Sequence, residues 1–212
     1  MTDEAVASPN SIRLFLDSAV VADWQRLLPL GCFHGVTTNP LLLQRAKQDC
    51  TLDNLAHIAQ QVGELGAQEI QMQVWGESAA EMLACGMRLT ELQTAEFAVL
   101  VKVPATTIGF QVARQLVAAG VRVTMTAVFT PGQVLLAAGL GAAYAAPYLG
   151  RLLDAGEPGR EQVLTMAEIL RHSGHATRLL VASLRSADQV VDLAQQGCNT
   201  FTFGPAVADE LL

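Results

Sequence analysis

The chain has 212 residues, of which 51% are hydrophobic and 16% are charged, and its formal net charge is -7. This length supports one substantial domain with a large core, and an acidic chain without a basic block excludes nucleic acid and anionic membranes as expected partners. The polar start MTDEAVASPNS has the features of neither a signal nor a transit peptide, and no apolar run approaches the ~18 residues of a membrane span. The four cysteines are scattered without metal-ligand spacing, so we expect reduced thiols, a cytoplasmic protein and no metal site.

Short β-rich segments alternate with helix-period segments along the chain. The predicted strands are IRLFLD (12–17), HGVTTN (34–39), EIQMQVW (69–75), FAVLVKV (97–103), VRVTMTAVF (121–129), AAYAAPYL (142–149), RLLVASL (178–184) and NTFTFG (199–204). This alternation predicts an α/β fold, a single-domain (β/α)8 TIM barrel over residues 12–212 that follows an N-terminal extension of residues 1–11. An open doubly wound sheet is the alternative, but no glycine-rich phosphate-binding motif follows the first strand.

The fourth predicted strand carries a lysine, Lys102, inside an apolar run. Successive residues of a strand face opposite sides, so valines that face the helices would direct Lys102 into the barrel. In the seventh strand the same alternation groups Val181 with Ser183 and Arg185. Active sites of TIM barrels lie at the C-terminal ends of the strands, and the inward polar residues predicted near those ends are Asp17, Thr37, Asn39, Gln73, Lys102, Thr126, Tyr148 and Ser183.

An inward lysine has a specific chemical use. Burial disfavours the charged form of an amine, and a neutral amine attacks a carbonyl to form a Schiff base, which serves as an electron sink for making or breaking a C–C bond. Candidate groups for the accompanying proton transfers are Asp17, Gln73, Thr126 and Tyr148. The alternative is a lysine that extends to solvent or pairs with Asp17.

Two arginines and a serine follow the late strands. Arg151 comes just after the sixth strand, and Ser183 and Arg185 lie at the end of the seventh. Guanidinium and hydroxyl donors suit a phosphate group, which barrels often bind at their late loops. Ordinary surface arginines are the alternative interpretation.

The segments LFLDSA (14–19), GVTTNP (35–40), VKVPAT (101–106), APYLGR (146–151), ASLRSADQV (182–190) and QGCNTFT (196–202) together resemble the transaldolase family. The resemblance covers residues 12–211 and is greatest to the short subfamily of fructose-6-phosphate aldolases and small transaldolases. It implies a class I reaction on phosphorylated sugars in carbohydrate metabolism, without a metal or another cofactor.

The resemblance also implies roles for individual residues. Lys102 matches the Schiff-base lysine, Asp17 the acid/base aspartate, and Thr126 the threonine that helps to hold the catalytic water. Thr37 and Asn39 match positions that bind the dihydroxyacetone portion, and Ala146 matches a small residue close to the substrate. The matches on the phosphate side are Arg151, Ser183 and Arg185.

Two positions bear on the reaction type. Transaldolases usually have a glutamate where this sequence has Gln73 and a phenylalanine where it has Tyr148, whereas Gln with Tyr is the pattern of the aldolase branch. The resemblance therefore favours an aldolase that cleaves fructose 6-phosphate into dihydroxyacetone and glyceraldehyde 3-phosphate and also forms it from them. A transaldolase that transfers the three-carbon unit between sugar phosphates is the second hypothesis, and a non-catalytic barrel that binds sugar phosphates is the third.

The expected partner is a sugar-phosphate substrate, with no nucleic acid and no membrane. The resemblance also implies a homo-oligomer, because members of this family form rings of five or ten subunits through a long final helix. The sequence ends at AVADELL, so we expect this helix to be short here and the ring to be altered or missing.

Overall fold

The computed structural model describes residues 11–212, so the predicted extension lies outside the described residues except for Ser11. Within that range, nine parallel strands form one sheet. The strands are β1 (Arg13–Asp17), β2 (Gly35–Thr37), β3 (Glu69–Gln73), β4 (Ala98–Pro104), β5 (Val123–Val128), β6 (Tyr144–Pro147), β7 (Arg178–Leu179), β8 (Val181–Leu184) and β9 (Thr200–Phe203).

Helices follow the strands along the chain. They are α1 (Val21–Leu27), α2 (Pro40–Arg45), α3 (Leu52–Glu64), α4 (Ala79–Thr90), α5 (Thr107–Ala118), α6 (Pro131–Leu140), α7 (Leu149–Asp154), α8 (Gly159–Ser173), α9 (Ala187–Gln195) and α10 (Pro205–Leu211), and a short 3-10 turn, Leu28–Leu30, extends α1. No helix in residues 11–212 is both long enough and apolar enough to cross a membrane.

The sheet curls into a nearly closed barrel. Its strand order is β7-β6-β5-β4-β3-β2-β1-β9-β8, and a bridge between Tyr148 and Ala182 brings its two ends together. Only Leu180 separates β7 from β8, so these two strands correspond to the single predicted strand 178–184. The prediction of a single-domain TIM barrel is confirmed, while the predicted sixth strand ends earlier because α7 begins at Leu149.

Two apolar clusters hold the barrel together. The larger one lies between the strands and the helices and includes Val99, Val101 and Val103 of β4. The smaller one fills the barrel interior and consists of Phe15, Leu100, Tyr144, Ala146 and Leu180. Since Leu100 and Lys102 alternate with the three valines, Lys102 continues the inward row of β4.

The alternation of faces is interrupted in β8. Ser183 has a φ of 59°, a left-handed conformation that is uncommon outside glycine, and the pairing of β8 with β9 shifts register between Val181 and Leu184. The prediction that Val181 shares the inward face with Ser183 is wrong, because Val181 packs in the cluster that faces the helices. Ser183 reaches the interior only through its left-handed backbone.

A buried carboxylate organises the N-terminal end of the barrel interior. Glu69 is 1% exposed, and it accepts hydrogen bonds from the Gln71 amide at 2.8 Å, the Tyr144 hydroxyl at 3.3 Å and the Arg122 guanidinium at 3.3 Å. The His34 Nε2 atom lies 3.7 Å from the same carboxylate. These contacts supply the partners that a buried charge requires.

The charge state of Glu69 makes stability depend on pH. Burial by itself raises the pKa of Glu69, but the interactions with His34, Arg122 and Gln71 outweigh burial and leave the pKa below that of an exposed glutamate. A carboxyl whose pKa is lowered by folding stabilises the protein above its unfolded-state pKa, and this stabilisation is lost as the pH falls through the folded-state pKa.

We therefore expect Glu69→Gln to lower the free energy of unfolding by about 1–3 kcal/mol at pH 7 and to make it fall less steeply below about pH 4.3. Urea denaturation from pH 7 down to pH 3 measures both effects. Glu91→Gln, on the surface beside Arg88, is the matched control and should keep the wild-type pH profile. Parallel profiles for the wild type and Glu69→Gln would contradict this prediction.

Candidate active site

A cavity of about 310 Å³ opens at the C-terminal ends of the strands. All of the predicted site residues line it except Thr37 and Gln73; those that do are Asp17, Asn39, Lys102, Thr126, Ala146, Tyr148, Arg151, Ser183 and Arg185. The cavity also has an apolar part, formed by Leu41, Leu42, Leu180 and Ala182. A concave site with a few convergent polar groups is typical of small-molecule binding.

Lys102 lies at the inner end of this cavity. The residue is 4% exposed, and its Nζ atom donates a hydrogen bond to the backbone oxygen of Thr38 at 3.1 Å. Among residues 11–212 it forms no ion pair with Asp17 or with another carboxylate. The amine is therefore neither extended into solvent nor paired with an acid, and it retains hydrogen-bonding capacity toward a bound molecule.

Asp17 is held in place by a chain of hydroxyl groups. The Thr37 hydroxyl donates to Asp17 Oδ1 at 2.6 Å and lies 2.6 Å from the Thr202 hydroxyl. Thr37 is fully buried, so it lies behind Asp17 rather than on the cavity wall. A fixed carboxylate with one oxygen still available is suited to exchanging protons with a ligand.

A hydroxyl pair forms part of the opposite wall. The Thr126 and Tyr148 oxygens lie 2.8 Å apart, and Phe129 packs edge-on against the Tyr148 ring, with 5.8 Å between the centroids. Tyr148 is the residue that precedes α7, and its backbone N–H donates to Val128 at 3.2 Å. The strand ends thus fix the direction of the phenol, and two adjoining hydroxyls can orient a water molecule.

Gln73 is the neighbour of Lys102 across the sheet. The two residues are register partners on β3 and β4, so their side chains leave the sheet on the same side. Gln73 is half-buried and does not form part of the cavity lining. The structure thus pairs Gln73 with Lys102 along the sheet but leaves it out of the cavity lining.

The rim near α7 carries positive charge. Arg151 lies on α7, and Gly150 allows this helix to approach β8 closely, because a Cβ atom at Gly150 would lie 2.4 Å from the Ser183 backbone oxygen. Arg185 forms a two-pronged ion pair with Asp154, in which one N–O distance is 2.6 Å. Of these two arginines, Arg185 is thus largely committed to a protein partner.

Sequence reasoning missed two polar residues of the cavity, Arg45 and Thr202. Arg45 is the last residue of α2 and therefore lies outside any strand-based search. Thr202 is the third residue of β9, and its inward direction was available from the alternation in TFTF. Asn39, in contrast, was predicted and has a second role, because its side chain accepts a hydrogen bond from Leu42 N–H and begins α2.

Known proteins are similar in sequence to this chain over nearly its whole length. The family model described as Transaldolase/Fructose-6-phosphate aldolase matches residues 14–212. A probable transaldolase 2 from Bacillus cereus is 34% identical over 201 residues, which cover 94% of this chain and 90% of that protein. A probable transaldolase from Nitrosopumilus maritimus is 32% identical over 202 residues, which cover 95% and 87% respectively.

Solved structures agree on the architecture. Thiamine phosphate pyrophosphorylase from Pyrococcus furiosus superposes with a TM-score of 0.66 at 13% identity, covering 96% of this chain and 91% of that one. A mandelate oxidase superposes with a TM-score of 0.62 at 15% identity, covering 91% of this chain and 65% of that one. At these identities the likeness concerns the fold alone.

Proposed function

The chain belongs to the transaldolase/fructose-6-phosphate aldolase family of enzymes, and on this premise we propose that it is a Schiff-base aldolase that cleaves and forms fructose 6-phosphate. The observation that carries the proposal is the hydroxyl pair of Thr126 and Tyr148, with oxygens 2.8 Å apart, in the same cavity as the buried amine of Lys102. This pair can hold the water that protonates the three-carbon intermediate.

Cleavage begins with the amine. The neutral Nζ of Lys102 attacks the C2 carbonyl of fructose 6-phosphate, the carbinolamine loses water, and the nitrogen takes one proton from solvent to give a cationic Schiff base. Asp17 accepts the proton of the C4 hydroxyl, the C3–C4 bond breaks, and glyceraldehyde 3-phosphate leaves. The bonding electrons move towards the nitrogen and produce an enamine. The hydrogen bond from Thr37 to Asp17, at 2.6 Å, supports this role because it fixes the carboxylate.

The fate of the enamine distinguishes the two activities of the family. In an aldolase, C3 of the enamine takes a proton, and water then hydrolyses the Schiff base to release dihydroxyacetone and regenerate the amine. In a transaldolase, C3 instead attacks an acceptor aldehyde. A neutral amide at Gln73 beside the lysine and a phenol at Tyr148 support protonation, since together they can orient a water without supplying a second carboxylate.

Transaldolase activity is the second candidate function. It is favoured by the names of the relatives from Bacillus cereus and Nitrosopumilus maritimus, both described as probable transaldolases. Both activities use the same enamine. The difference between them is whether a proton or an acceptor aldehyde reaches C3 first.

We expect the enzyme to release dihydroxyacetone from fructose 6-phosphate without any added acceptor. The measurement is free dihydroxyacetone over time, with and without erythrose 4-phosphate. Release of dihydroxyacetone that is independent of the acceptor supports the aldolase. Formation of glyceraldehyde 3-phosphate only when erythrose 4-phosphate is present, with no free dihydroxyacetone in either mixture, would favour the transaldolase.

Borohydride reduction tests the covalent step. With dihydroxyacetone present, reduction should fix one three-carbon adduct on Lys102, because hydride converts the Schiff base to a stable secondary amine. Intact mass and peptide mapping detect it. The chain has one other lysine, Lys47, so Lys47→Met should still form the adduct and Lys102→Met should not. Equal labelling of both variants would exclude Lys102 as the nucleophile.

Tyr148→Phe tests the hydroxyl pair. We expect it to lower the rate of dihydroxyacetone release about 10- to 100-fold, because proton delivery to C3 becomes slow, while borohydride trapping on Lys102 persists. Tyr144→Phe is the matched control. The hydroxyl of this tyrosine contacts Arg13 and Glu69 at the N-terminal end of the barrel interior, away from the cavity. If both variants release dihydroxyacetone equally fast, Tyr148 has no part in protonation.

A further inference from the structure

Three arginines border the mouth of the active-site cavity, but they differ in what they already bind. Arg185 is held by Asp154 through both of its terminal nitrogens. The hydrogen bond from Arg185 lowers the pKa of Asp154, and the charge of Arg151 adds to this lowering. Asp154 therefore compensates much of the positive charge on the α7 side of the mouth.

Arg45 is the exception. It is the last residue of α2 and lines the cavity together with Leu41 and Leu42 of the same helix. Its side chain forms no ion pair and no hydrogen bond with any residue between 11 and 212. A guanidinium with five unused donors at the edge of a cavity is suited to bind an anion that enters it.

Arg45 and Arg151 approach the cavity from opposite sides. Arg45 follows β2 and Arg151 follows β6, and in the strand order of the barrel these two strands are four positions apart. Both side chains nevertheless line the same cavity of about 310 Å³. A phosphate between them would receive charge from two directions, and two arginines balance a phosphate dianion.

We propose that Arg45, acting opposite Arg151, binds the phosphate of the substrate and makes the enzyme selective for phosphorylated aldehydes. This inference rests on the proposed aldolase function and adds a specificity-determining residue outside the strand ends. Arg45 takes no part in the covalent steps. Its contribution is to binding, so it should affect KM for a phosphorylated aldehyde more than kcat.

The test compares two acceptor aldehydes in aldol synthesis with dihydroxyacetone. For Arg45→Gln we expect KM for glyceraldehyde 3-phosphate to rise about 10- to 100-fold, while kcat/KM for unphosphorylated glyceraldehyde stays within about twofold. Arg45→Lys should recover part of the loss, because a lysine supplies the charge without the fork of donors. Arg114→Gln removes an equal charge from the groove between α5 and α6 and should leave both KM values unchanged.

Equal losses with both aldehydes, or an unchanged KM for glyceraldehyde 3-phosphate, would overturn the role of Arg45. A parallel calorimetric titration uses glucitol 6-phosphate, which has no carbonyl group and cannot react. Arg45→Gln should weaken its binding about tenfold or more, and unweakened binding would also overturn the inference. If the wild type binds this ligand through Arg45 but makes no aldol product, the proposed function is wrong and the phosphate contact stands.

Discussion

The enclosure of the Lys102 amine in a nearly closed parallel barrel is the constraint on which the rest of the site depends. Parallel strands bring all their C-terminal ends to one rim, and the register of β3 with β4 sets Gln73 beside Lys102. Because the amine is buried and has a single backbone acceptor, the oxygen of Thr38, a ligand has to enter the cavity to contact it. Asp17, Thr126 and Tyr148 share the cavity with this amine because they lie at the C-terminal ends of strands around the same interior.

The two ends of the barrel interior satisfy their polar groups in different ways. At the N-terminal end the charge of Glu69 is matched within the protein by Arg122, Gln71 and Tyr144. At the C-terminal end the buried amine of Lys102 keeps donors for which the described chain supplies no partner. Polar groups inside a protein are normally paired, so the unpaired end is the one prepared for a ligand, and the paired end contributes stability.

Much of the fold and part of the site followed from periodicity. The alternation of valines with Leu100 and Lys102 was sufficient to direct the lysine inward, because β4 is a regular strand. The same reasoning failed at Val181, which packs towards the helices although it was grouped with Ser183, because the left-handed φ of 59° at Ser183 interrupts the alternation between them. Alternation assumes extended backbone, and nothing in the pattern of apolar residues reports a single residue that departs from it. Arg45 escaped attention because it lies on a helix, where strand parity has no meaning.

By itself the sequence determined the alternation of strands and helices, the inward lysine and, through its motifs, the family. These are local or cumulative properties, which depend on residue type and spacing along the chain. Only the tertiary structure decided which charged groups are paired. Arg185 meets Asp154, 31 residues away, whereas Arg45 meets no acid in the described chain. Such pairing depends on where the strand ends and helix ends meet in space, and spacing along the chain does not specify it.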